Sequence, residues 1–204
     1  MRLPMRLPAP SDDLCLRCAS GALDPALRLM IEAHLAHDPA TRARVEVFAR
    51  LGGAMLTAEP PAALSPGLFA RTLALLPQVG PRPSPEPPPA PSLENLRWRW
   101  AGPGCRLAAL PVEGSALKTF AFRVGPGRAM LEHGHDGPEW TLVLEGAYSD
   151  EAGRFPAGAF VENDAATTHR PLADAREGCV CLIAMAAPLA ARGLVGAFAR
   201  WAMR

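Results

Sequence analysis

Apolar residues recur at helical spacing along the first third of the chain. Leu27, Met30, Ile31, His34 and Leu35 fall on one face, and Val45, Phe48, Leu51 and Met55 form a second stripe. Each run follows a helix-entry signal. Asp24-Pro25, Asp38-Pro39 and Ser65-Pro66 set a capping side chain before a proline, whose missing amide is one that a helix start leaves unbonded anyway. Ser11, followed by Asp12 and Asp13, offers a fourth start. The pattern predicts a small bundle of three or four short helices. It stops at PQVGPRPSPEPPPAP (77–91), where eight of fifteen residues are proline. Such a segment lacks amide donors and has fixed φ angles, so it reads as an extended, stiff spacer.

Beyond the spacer the period shortens toward two. Strands are predicted at 116–124, 139–146, 158–163 and 178–186, with weaker candidates at 97–100 and 104–112. Short strands separated by Gly-rich turns predict a sandwich or barrel. The chain ends in RGLVGAFARWAMR, where Leu194, Val195, Phe198 and Trp201 share a helical face. The fold class is therefore α+β in two domains: helices over 1–76, a linker over 77–92, and a β-barrel with a C-terminal helix over 93–204.

Composition narrows the function. The 204 residues are 49% hydrophobic and 20% charged, with a net charge of +1 and Lys118 as the single lysine. No block of like charge forms, which disfavours direct nucleic-acid binding. The N-terminus lacks the continuous apolar run of a signal peptide, and the longest uncharged stretch, 178–191, is too short to span a bilayer and contains Pro188. Five irregularly placed cysteines fit reduced thiols in the cytoplasm.

Chemistry concentrates in LEHGHDGPEWTLVLEG (131–146). His133 and His135 are two apart and share a face if the segment is extended. Glu139 follows a short turn, and His169 lies thirty residues further on. Three imidazoles and a carboxylate suit Zn²⁺, Fe²⁺, Mn²⁺ or Ni²⁺. By spacing alone, a solvated loop is equally compatible. Cys179 and Cys181 alternate on one face of an apolar strand and read as buried thiols, with a lesser role near a metal. Cys15, Cys18, His34 and His37 make a lower-ranked second cluster, since each pair shares a helix face. Glu145 and Glu162 read as exposed strand residues, Trp140 as barrel wall, and Tyr148 has no assigned role.

The string Gly127, five residues, His133-Gly-His135, three residues, Glu139, six residues, Gly146 is similar to the first motif of the cupin superfamily, a metal-holding jelly-roll barrel. Pro156-Ala-Gly158 and the later His169 resemble a looser form of its second motif. This resemblance implies His133, His135, Glu139 and His169 as ligands of one divalent metal, zinc first, with iron, manganese and nickel also suited.

Helices, Pro-rich spacer and cupin in this order resemble the ChrR-type anti-sigma factors over nearly the whole chain. CASGALDPALRLMIEAHLAHDPATRARVEVFARLGGAML and EWTLVLEGAYSDEAGRFPAGAFVENDA carry the likeness. The resemblance implies a cytoplasmic regulator that sequesters an extracytoplasmic-function sigma factor. Helices around Ala26–Arg50 and Leu64–Leu76 would hold it until singlet oxygen, a peroxide or a small ligand acts on the cupin domain. No catalytic residues and no membrane contact are implied, and a homodimer is compatible with it. One departure stands out: the family's N-terminal zinc element, His-x₃-Cys-x₂-Cys, reads here His34-x₃-Asp38-x₂-Thr41, and no histidine precedes Ser11. Two alternatives remain: a metal-dependent cupin oxygenase or isomerase, and a regulator that has lost its sigma partner.

Overall fold

Side-chain caps start three of the four helices. In this computed structural model, which describes residues 7–76, 93–130, 132–134 and 136–186, Ser11 caps α1 (Asp12–Ser20), Asp24 caps α2 (Pro25–Leu35) and Asp38 caps α3 (Pro39–Ala58). Each cap accepts an amide that the helix cannot bond internally. The fourth start differs from expectation. Helix α4 (Leu68–Leu75) begins after Gly67, which has φ of 75° and offers no side-chain cap. Ser65 is held instead by Arg71, whose Nη2 donates to its Oγ at 3.3 Å. The predicted linker over 77–92 and the predicted C-terminal helix lie outside the described residues.

The six expected strands are present as β1 (Arg99–Gly102), β2 (Cys105–Ala109), β3 (Lys118–Val124), β5 (Glu139–Asp150), β7 (Phe160–Asn163) and β10 (Cys179–Met185). Four short strands were not foreseen: β4 (His133–Gly134), β6 (Gly153–Pro156), β8 (Thr168–His169) and β9 (Leu172–Ala173). With two to four residues each, they are too brief to show a period. The main antiparallel order is β1-β2-β3-β10-β5-β6, with β7 and β9 also paired to β5, while β4 and β8 pair separately. This is the jelly-roll arrangement anticipated above.

Strand β5 belongs to both walls of the barrel. Its first half pairs with β10 and β7, and its second half with β6 and β9. The turn between halves falls at Gly146, where φ is 65°, just after the β10 register shifts at Leu144. A side chain here would collide with the Gly178 carbonyl. Only glycine permits this approach and this φ together.

Among the described residues the helical half has no core of its own. Leu14 of α1 and Leu27, Met30 and Ile31 of α2 pack into one cluster with Ala108, Ala121, Leu142, Phe160, Leu182 and Ala184 of the sheet. Met30 and Ile31 have no exposed surface. Burying such side chains stabilises by about 1.5–3 kcal/mol each, so the outer face of the sheet supplies the second layer a small bundle lacks. Two polar ties reinforce the seam. The Asp24 carboxylate accepts from Ser115 Oγ at 2.6 Å and from the Ala116 amide at 2.9 Å, and His34 Nδ1 donates to the Gly158 carbonyl at 2.8 Å.

Ile31→Ala and Leu182→Ala are each expected to lower the unfolding free energy by about 2–5 kcal/mol. Helical ellipticity and tryptophan fluorescence should be lost in one coincident transition. Two separated transitions would mean that helices and barrel fold independently.

Candidate metal centre

The interior of the barrel is lined by side chains at alternate positions. On β5, Glu139 and Thr141 point inward, and on β10 Cys179, Cys181 and Ile183 do the same. With His133, His169 and Tyr148 they surround a cavity of about 30 Å³, mostly apolar in its walls. A volume of this order holds about one water-sized molecule.

Strands β4 and β8 set His133 directly opposite His169. Their Nε2 atoms are 3.2 Å apart. Two nitrogens bound to one tetrahedral zinc at ordinary lengths stand about 3.3 Å apart, so this pair has the spacing that a shared ion requires. His169 Nδ1 donates to Asp150 Oδ2 at 3.0 Å, with both side chains nearly buried. That bond fixes the tautomer and leaves the Nε2 lone pair of the neutral ring toward the cavity. Glu139, 3% exposed, faces the same cavity and accepts from the Thr141 hydroxyl at 3.4 Å. The donor set fits a divalent metal with imidazole and carboxylate ligands. His135 lies outside the described residues. Among the described residues no three such side chains converge on one point.

Three of the surrounding residues were not singled out by sequence. Asp150 sits in a segment that reads as a turn, and only the continuation of β5 past Gly146 carries it beneath His169. Thr141 looks like any strand threonine. Tyr148, given no role from sequence, is buried in the cavity wall, and its phenol is held well above its ordinary value, chiefly by burial. Cys181 is pushed up by its hydrogen bond with Cys179 and by burial, which keeps it a thiol.

The second candidate cluster is arranged differently. Cys15 is buried, with Sγ 3.8 Å from the Pro10 carbonyl, and Cys18 is half-buried. His34 is wholly buried, and its ring is engaged on both sides. Nδ1 donates to Gly158, while Nε2 lies 3.3 Å from Thr41 Oγ and 3.4 Å from Asp38 Oδ2. Thr41 donates to Asp38 at 2.6 Å. Burial favours a raised Asp38 carboxyl, but donation from Thr41 and the Ala40 amide outweighs it and holds the group below its ordinary value. His37 is exposed and lies beside Gly158.

Residues 91–188 match the family model described as the ChrR cupin-like domain. The anti-sigma-E factor ChrR of Cereibacter sphaeroides is 38% identical over 191 residues, which cover 88% of this chain and 89% of that protein. A crystal structure of Rhodobacter sphaeroides SigE in complex with the anti-sigma ChrR superposes with a TM-score of 0.74 at 34% identity. The match covers 87% of this chain and 98% of that chain.

Asp150→Asn is expected to weaken metal binding about 10–100-fold, read by competition with a chelator, whereas His37→Ala should leave metal content unchanged. Full affinity in Asp150→Asn would remove its orienting role. A second test concerns acid. Burial holds His34 below its ordinary value of 6.5, against the opposing hydrogen bond to Gly158 and the Asp38 charge. The unfolded chain therefore takes up the proton first as pH falls. Stability from neutral His34 is full above about pH 6.5 and declines as pH drops toward the folded value. His34→Gln should flatten the fall in melting temperature as pH drops below about 6.5; an unchanged slope would assign the acid sensitivity to other groups.

Proposed function

The chain belongs to the ChrR family of anti-sigma factors, and on that premise we propose that it sequesters an extracytoplasmic-function sigma factor in the cytoplasm. Residues 1–76 form the gripping unit and residues 93–204 the sensing unit, joined by the linker over 77–92. Release follows an oxidative signal, singlet oxygen or a peroxide, or a small ligand acting at a divalent metal, zinc first, in the barrel. His133, His135, Glu139 and His169 would hold that metal. Such a metal would supply a Lewis-acidic, ligand-exchangeable point inside the barrel, with Asp150 orienting His169.

One observation carries the partner. Of the twenty residues of α3 only Thr41 is buried, and α4 has no buried residue. Val47, Leu51, Met55 and Leu56 on α3, and Phe69 and Leu73 on α4, are exposed, with Met55 at 65% and Phe69 at 72%. Apolar surface of this kind marks a protein-binding site. Stripe residues of α2 are committed to the barrel, so the grip falls on α3 and α4 and not on the whole of Ala26–Arg50. The small cavity favours sensing over turnover of an organic substrate. No helix among the described residues is long and apolar enough to cross a membrane.

Tagged protein purified from its own cells should bring down a sigma factor at near-equal amount, identified by mass spectrometry. Met55→Asp with Phe69→Asp should cut that recovery at least about tenfold, because a desolvated charge costs more than 1.4 kcal/mol, and should leave metal content unchanged. Recovery of the chain alone would move the function toward a metal-dependent cupin enzyme or a regulator without its partner.

A further inference from the structure

Several polar ties between the helical unit and the barrel land on one five-residue stretch. His34 Nδ1 donates to the Gly158 carbonyl at 2.8 Å. The Phe160 amide donates to the Pro8 carbonyl at 2.8 Å. Glu162 accepts from the Ser11 amide at 2.6 Å and from the Ser11 hydroxyl at 3.3 Å. The Phe160 ring meets His34 edge-on at 6.0 Å. Pro8 and Ser11 form the lead-in and cap of α1, and His34 lies on α2.

The same stretch is read from its other edge by the cavity. Strand β7 pairs with β5 in the register Leu142↔Phe160, Thr141↔Val161, Trp140↔Glu162 and Glu139↔Asn163. Alternation along a strand then sorts its side chains. Phe160 and Glu162 face the helices, whereas Val161 and Asn163 share the face of Thr141 and Glu139. Asn163 is the direct cross-strand neighbour of Glu139, within side-chain reach. Its Nδ2 is buried without an acceptor. Asn163 thus stands between Glu139, across the strand pair, and Glu162, next in sequence and the residue that holds the cap of α1.

We propose that β7 couples the cavity to the helical unit: Asn163 registers the position of Glu139, and Glu162, through Ser11, passes it to α1. Helix α1 packs on α3, so the coupled unit includes the helix that presents the apolar face. The polar tie of Asp24 with Ser115 and Ala116 lies on the loop before β3 and has no part in this route. The coupling deepens the sensing role proposed for the cavity. Its test contains neither partner nor added metal, so failure here and failure of sigma capture are distinguishable.

Amide hydrogen exchange of α1 is measured in the full chain. Glu139→Gln should accelerate it by about threefold or more, as should Glu162→Ala, and the double variant should exchange no faster than Glu162→Ala alone. Ser115→Ala should leave the effect of Glu139→Gln intact, which separates a coupling strand from general loosening of the seam. If Glu162→Ala does not fold, Glu162→Gln, which keeps one acceptor oxygen, replaces it in the same cycle. Wild-type exchange of α1 in Glu139→Gln, or an undiminished effect added on top of the Glu162 variant, would overturn the proposal.

Discussion

Contact between the apolar stripe of α2 and the outer face of the sheet is the constraint on which the rest of the molecule depends. Three or four short helices bury too little surface to be stable alone. Here Leu27, Met30 and Ile31 reach Leu142, Phe160 and Leu182, so sheet residues are buried on both faces: the cavity on one, the helices on the other. Sharing a core has a second effect. With α1 and α2 committed to the barrel, α3 and α4 keep their apolar residues exposed, and the surface for a partner is set by what the barrel leaves uncovered.

Strand β5 does for the barrel what α2 does for the whole. Its twelve residues run past the Gly146 bend, carry Glu139, Thr141 and Tyr148 to one cavity and set Asp150 against His169. A buried carboxylate beside an imidazole is costly without a partner and stabilising with one. The Asp150–His169 pair therefore both satisfies the carboxylate and orients the ring.

At the helical end, the positions that resemble a zinc element are filled by groups that bond to one another. Asp38 caps α3 with one oxygen and takes the Thr41 hydroxyl with the other, while His34 spans from that pair to the barrel. Hydrogen bonds thus join α2 to the Gly158 turn through His34, and α3 to α2 through Arg42, which donates to the Leu35 carbonyl at 2.6 Å. The cost of this joint is a buried imidazole that resists protonation.

Much of this was legible in the chain. Capping side chains before proline placed α2 and α3 because the first helical turn has a fixed need for acceptors. Alternation placed β3, β5, β7 and β10, and the resemblance carried by Gly127, His133, His135, Glu139 and Gly146 pointed to the barrel. Three things were not legible. Ser65 did not cap α4, because the helix starts only at Leu68, after Gly67, and the Ser65 hydroxyl accepts from Arg71 instead. Tyr148 reached the cavity and Asp150 reached His169 only because β5 bends and continues, which depends on Gly146 meeting Gly178, a residue thirty-two positions away. Glu162, an exposed strand residue by pattern, became the partner of Ser11. Sequence by itself determined the elements and which of their faces are apolar, since those follow from local sterics and periodicity. Tertiary structure alone decided which faces met, because burial rewards any apolar match and only the closed barrel selects one.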